Sequence, residues 1–175
     1  MQGCENRMKP VLKNILLSFV FSAAGMCWFL FMIVRGGGDW LLSWVGVLMA
    51  FLSLYTLIDL YCKYAYDKKL SILFIKATVT TFSFAVLGIT FGIVHELLQP
   101  WSLSLMVWYW LLVLLLFVTT IILLIFVLFV NRKNYNIPGT YRILILLNLF
   151  LTLAPVLWPL LLTIIGNGMN ASAGW

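Results

Sequence analysis

Charge is what this sequence has least of. Asp, Glu, Lys and Arg together make up 9% of its 175 residues, while 64% are hydrophobic. A soluble domain carries about 25% charged and roughly 45–50% apolar residues. A chain this short buries too small a share of its surface to hide the excess. The composition therefore excludes a soluble fold, and lipid is the solvent that accepts such a surface. The length suits one domain, taken as residues 1–175.

Histidine occurs once, as His95. One histidine excludes bis-histidine haem ligation within the chain and a His-rich zinc site, and HExxH is absent. No Ser–His–Asp arrangement can be argued, because the apolar neighbourhood of His95 offers no nucleophile. Cysteine is scarce too. Cys4, Cys27 and Cys62 show no CxxC spacing and read as unpaired thiols, with reversible acylation of Cys4 or Cys62 near a membrane surface as the lesser reading. No metal, no cofactor and no enzymatic activity are expected. The inverted internal repeat of many transporters is missing. The first apolar run has about 20 residues, longer than a signal-peptide core, and no small-residue cleavage site follows it.

Length of apolar run is what the sequence does have. A helix rises about 1.5 Å per residue and needs about 20 apolar residues to cross roughly 30 Å of hydrocarbon. Five segments meet that length: residues 15–34, 40–61, 70–97, 102–130 and 143–165. The expected fold is all-α, a polytopic membrane helical bundle of about five transmembrane helices. Turns are expected at Arg35 to Asp39, Cys62 to Lys69, Gln99-Pro100 and Asn131 to Arg142.

Lys and Arg outnumber Asp and Glu by 11 to 5. They fall in short segments between apolar runs, which is the pattern of topology signals. Nucleic acid is not an expected partner, because the basic residues share no soluble face. Arg7, Lys9 and Lys13 precede the first span, Lys63, Lys68 and Lys69 follow the second, and Arg132, Lys133 and Arg142 follow the fourth. The other connections carry only Arg35. This alternation predicts a cytoplasmic N-terminus and a C-terminus outside. Trp40, Trp101 and Trp175 fall at or beyond the outer ends, where an aromatic belt is expected. Asn170-Ala171-Ser172 fits the glycosylation sequon on the same side.

In lipid, small residues mark the faces on which helices meet. The third span carries Ala77, Thr81, Ala85, Gly88 and Gly92 at steps of four and three, one face of a helix. The second carries Ser43, Gly46, Ala50 and Ser53, the first Ser18, Ser22 and Gly25, and the fifth Asn148, Thr152, Pro155 and Pro159. The fourth has no Gly, Ala or Ser between Leu105 and Val130. It reads as the most peripheral helix, facing lipid or a partner.

Ionisable residues within spans are costly and are candidates for function. Asp59 and Lys76 lie near the cytoplasmic ends of the second and third spans, about one turn apart in depth. They could form an ion pair that gates a path. The plainer reading has Lys76 reaching the interface and Asp59 in water. His95 and Glu96 sit at the outer end of the third span, about 100° apart around the helix, so one ligand cannot easily be shared. A wet helix end is the plainer reading there. Asn148 is the polar residue deepest in the fifth span.

The favoured function is a non-enzymatic accessory, regulatory or protective subunit acting through helix contacts. Its expected partners are the lipid bilayer and another membrane protein or further copies of itself. The alternative is a small oligomeric transporter or channel using Asp59, Lys76, Asn148 and the kink at Pro155 and Pro159.

Overall fold

The computed structural model describes residues 2–35, 40–64, 69–98, 102–130 and 139–173. Five α-helices fill them: α1 (Gln2–Val34), α2 (Trp40–Tyr64), α3 (Lys69–Leu98), α4 (Leu103–Val130) and α5 (Gly139–Ala173). Each contains a stretch long and apolar enough to cross a membrane. Helix is the state that satisfies every backbone N–H and C=O within the segment, which long apolar runs require away from water. Of the turns expected at Arg35 to Asp39, Cys62 to Lys69, Gln99-Pro100 and Asn131 to Arg142, residues 36–39, 65–68, 99–100 and 131–138 lie outside the described residues, as do Trp101 and Trp175, while 62–64, 69 and 139–142 are helical. Helix α5 outruns the expected span at both ends. The Asn170–Ser172 stretch thus lies in its last turns, and Ser172 Oγ donates to Met169 O at 2.9 Å.

Two antiparallel pairs make the bundle, and α5 joins them. Helix α1 packs along α2, α3 packs along α4, and α5 lies against α1, α2 and α4. In the first pair Gly25 meets Gly46. A Cβ on Gly25 would stand 3.2 Å from Gly46 O and 3.3 Å from Met49 Cβ. Backbones come this close only where side chains are missing. Trp28 Nε1 donates to Leu42 O at 2.8 Å one turn further along.

In the second pair the large side chains of α4 enter the small-residue face of α3. A Cβ on Gly92 would lie 2.7–2.8 Å from the rings of Trp110 and Tyr109, and one on Gly88 would lie 3.0 Å from Val113 Cγ2. Tyr109 OH donates to Gly88 O at 2.5 Å, and Thr120 Oγ1 donates to Thr81 Oγ1 at 3.1 Å. Further down, Phe74 stacks on Phe126 at 5.9 Å. Ala85 is fully buried, and Ala77 is half-buried.

Helix α4 is accordingly not the most peripheral helix. Trp110, Val113, Phe117, Ile121, Leu124 and Val127 on it are buried. The least buried span is α3, with 11% of its most apolar window inside the bundle. A helix without small residues can still be central when its neighbour supplies the grooves for its ridges.

Although consecutive in the chain, α2 and α3 touch only lightly. Aromatic side chains stand between α2 and the α3–α4 pair: Phe51 lies 5.5 Å from Phe82 and 5.8 Å from Phe117, ring centre to ring centre. Trp44 lies 5.2 Å from Trp110. Rings of this size hold helix axes apart, and an apolar cleft of about 330 Å³ opens between α2 and α3.

Candidate functional site

Where α1, α2 and α5 meet, polar atoms are collected in an otherwise apolar interior. Ser18, Ser53 and Asn148 come from the three different helices, and all three are 0% exposed. Ser18 Oγ donates to Ser53 O at 2.9 Å and lies 2.9 Å from Ser53 Oγ. Ser53 Oγ donates to Asn148 Oδ1 at 3.0 Å, and Asn148 Nδ2 donates to Ser18 Oγ. The amide offers donors and acceptors at once, so it can engage both hydroxyls. Ser22 and Thr152, one turn away on α1 and α5, are also fully buried and return their hydroxyls to Phe19 O and Leu149 O of their own helices.

The seam has a charged end. Asp59, in the last two turns of α2, accepts from Lys63 Nζ at 2.6 Å and from Asn14 Nδ2 at 3.4 Å. Lys63 is 60% exposed and Asp59 31%, so this pair contributes little to stability. Asp59 therefore takes a cation from its own helix, one turn away, rather than Lys76. Lys76 is exposed on α3. The ion pair between the two helices, the lesser of the two readings, is not formed, because α2 and α3 stand apart.

His95 and Glu96 lie at the opposite end, both half-buried. They take different neighbours, as their spacing on the helix requires. The His95 ring sits 6.0 Å from that of Phe91, and Glu96 Oε1 accepts from Trp110 Nε1 at 3.2 Å. Among the described residues, no three of His, Cys, Asp and Glu come together as a metal site would need. Gly46 and Ala50, on the face of α2 that carries Ser53, are buried, with Pro155 Cβ 3.6 Å from where a Gly46 Cβ would be.

Residues 9–174 match the family described as Protein of unknown function (DUF3902). The chain belongs to that family. No curated protein and no solved structure matches the chain. The matched stretch of this DUF3902 member contains every residue of the three-helix clamp, Ser18, Ser53 and Asn148, and the charged end of the polar seam.

Sequence reasoning named Asn148 but not its partners. Ser53 is 95 residues away and Ser18 130, and only the packing of α5 into the groove of α1 and α2 joins them. The signal was present in weak form, since each of the three residues lay on its own helix's small or polar stripe.

The clamp gives a prediction. Asn148→Leu keeps the branched outline of the side chain and removes the amide, while Ser18 and Ser53 retain each other. Interhelical hydrogen bonds in membranes are worth about 0.6 kcal/mol on average and up to roughly 2. The expected loss is about 1 kcal/mol in a reversible unfolding titration in mild detergent micelles, with helix content unchanged by circular dichroism. A loss above about 4 kcal/mol would mean that the amide does more than tie the helices.

Proposed function

We propose that this chain is a multi-pass integral membrane protein with its N-terminus on the cytoplasmic side. In this reading it serves as a non-enzymatic accessory, regulatory or protective subunit and works through helix contacts. The observation that carries the reading is the sealed clamp. Polar groups that line a transport path must meet water or substrate, whereas Ser18, Ser53 and Asn148 are fully buried and bonded to one another. Polar chemistry at the centre of the bundle is thereby spent on holding its own helices.

The outward surface supports the same reading. Beyond the face it gives to α4, α3 exposes Phe84, Leu87, Phe91 and Val94, and α4 exposes Leu112 and Leu115 on its far side. Such surface suits lipid and suits the apolar helices of a partner equally well.

The test is native mass spectrometry of the protein extracted gently from its own membrane. A stoichiometric second protein is expected, and it should be lost on Leu87→Asn or Leu115→Asn while helix content stays. A lone chain or homo-oligomer carrying a bound small solute would overturn the subunit reading in favour of transport. In that case Asn148→Leu should abolish flux.

A further inference from the structure

Lipid calls for an apolar surface, and α4 and α5 present one. Their outward side chains include Leu112, Leu115, Ile122 and Phe126 on α4 and Leu147, Phe150, Leu161 and Ile165 on α5. Helix α3 is different. The face it turns away from α4 reads Lys76, Thr80, Ser83, Leu87, Thr90 and Val94, all of them exposed. Steps of four and three keep these residues within about 40° of one line along the helix. That line runs opposite Gly92, which Trp110 and Tyr109 of α4 cover.

Thr80 and Thr90 return their hydroxyls to Lys76 O and Val86 O of their own helix, each at 2.9 Å. Ser83 takes no hydrogen-bond partner among the described residues. It lies fourteen residues from Lys69 and fifteen from Leu98, so its hydroxyl stands at the middle of the helix. In a membrane an unmet polar group is costly at that depth. Lys76 lies seven residues nearer the Lys69 end, about 10 Å along the axis. No carboxylate among the described residues pairs with it, and Asp59 is held by Lys63. A lysine alone could reach the membrane surface along its own stem. A hydroxyl at midspan cannot, so the face as a whole calls for a neighbour. Small and hydroxyl-bearing residues are those on which helices meet in lipid, and a three-four spacing is the seam of a packed helix pair. Beside the stripe, at Val86 and Thr90, opens the α2–α3 cleft, with about 330 Å³ of apolar space for a neighbour's side chain.

The charge decides what the neighbour is. Two copies of this chain inserted in the same sense would meet about a twofold axis, each using the same face. Lys76 of one would then stand against Lys76 of the other, a like-charge contact that costs affinity. An ionisable group within a span is matched instead by one of opposite sign. We propose that the face of α3 from Lys76 to Thr90 receives a transmembrane helix of another protein, one that carries Asp or Glu at the depth of Lys76 and a small residue at the level of Ser83. The proposal rests on the subunit reading and adds to it the face used and the chemistry of the partner.

The experiment uses purified full-length protein in phosphatidylcholine vesicles with a leucine-rich synthetic helix of about 22 residues. The synthetic helix has Ala at its midpoint and either Asp or Leu about 10 Å away along its axis. Energy transfer between dyes on the protein and on the synthetic helix measures association. The Asp helix should associate up to about five-fold more tightly than the Leu helix, the weight of a partly exposed ion pair. Lys76→Met should make the two alike. Ser83→Phe blocks the face and should abolish association of both, while circular dichroism stays that of the wild type, because the side chain points away from the bundle. Should Ser83→Phe lose helix content, Thr80→Phe blocks the same face one turn away and decides the point. Equal association of the two helices with the wild type, a preference that survives Lys76→Met, or association that survives the blocked face would each overturn the proposal. So would energy transfer between labelled copies of the protein itself that Ser83→Phe abolishes, which would give the face to a second copy. Failure of the subunit reading shows separately: native mass spectrometry then finds no second protein in the native membrane, although the Asp helix still associates through Lys76.

Discussion

Gly92→Leu is expected to separate α3 from α4. The Cβ alone would stand within 2.8 Å of three ring atoms, two on Trp110 and one on Tyr109, closer than real Cβ atoms approach anything. Neither ring can swing away cheaply. Trp110 is 0% exposed, lies against Trp44 and is bonded to Glu96, while Tyr109 is tied to Gly88 O. Overpacking usually costs about 1–3 kcal/mol and sometimes more, and a branched side chain on two immobile rings belongs at or above the upper end. The measurement is reversible unfolding in mild detergent, with near-ultraviolet circular dichroism reporting the tryptophan environment. Gly88→Ala is the comparison: its Cβ would meet the tip of Val113 at 3.0 Å, and replacing a helix glycine recovers up to about 1 kcal/mol of propensity. It should be near neutral. If Gly92→Leu proved as mild, the seating of Trp110 on α3 would be wrong.

Trp110→Ala is the second large effect. The indole is fully buried and joins three helices, through Trp44 on α2 and Gly92 and Glu96 on α3. Truncating a buried tryptophan costs about 3–5 kcal/mol. It would also leave Glu96 without its indole donor. The pairing with Gly92 makes a sharper test than either single change. In the Trp110→Ala background the leucine of Gly92→Leu enters the space the indole has left, so the double variant should be more stable than the sum of the two losses. A coupling of about 1–3 kcal/mol is expected for residues in contact. Additive losses would show that the two positions do not touch.

The fold's outline could be read from the sequence because its cause is local. Each helix carries its own apolar run, and α1 to α5 appear where runs of about 20 such residues occur. The relation among helices was legible only where small residues marked it, as at Ala85, Gly88 and Gly92. It failed for α4 because contact was sought in that helix's own composition. The grooves that receive Trp110 and Val113 belong to α3, so a helix of large side chains can be central. For Asp59 and Lys76 the plainer, unpaired reading rested on depth alone, and the cause of their separation lay in the packing. Phe51, Phe82 and Phe117 keep α2 off α3, and Lys63 is closer to hand. The α2–α3 cleft was beyond reach for the same reason: a space between two helices has no residue pattern of its own.

The position of Asn148 has a bearing on how the chain is made. Chains emerge N-terminus first, so the hairpin of α1 and α2 and that of α3 and α4 can each form before α5 exists. Until then Ser18 and Ser53 have only each other, and the two hairpins meet through little more than aromatic rings. The amide that locks the first hairpin to the rest arrives on α5. Closure of the bundle waits for α5, and a chain broken off before residue 148 would remain two loosely associated halves.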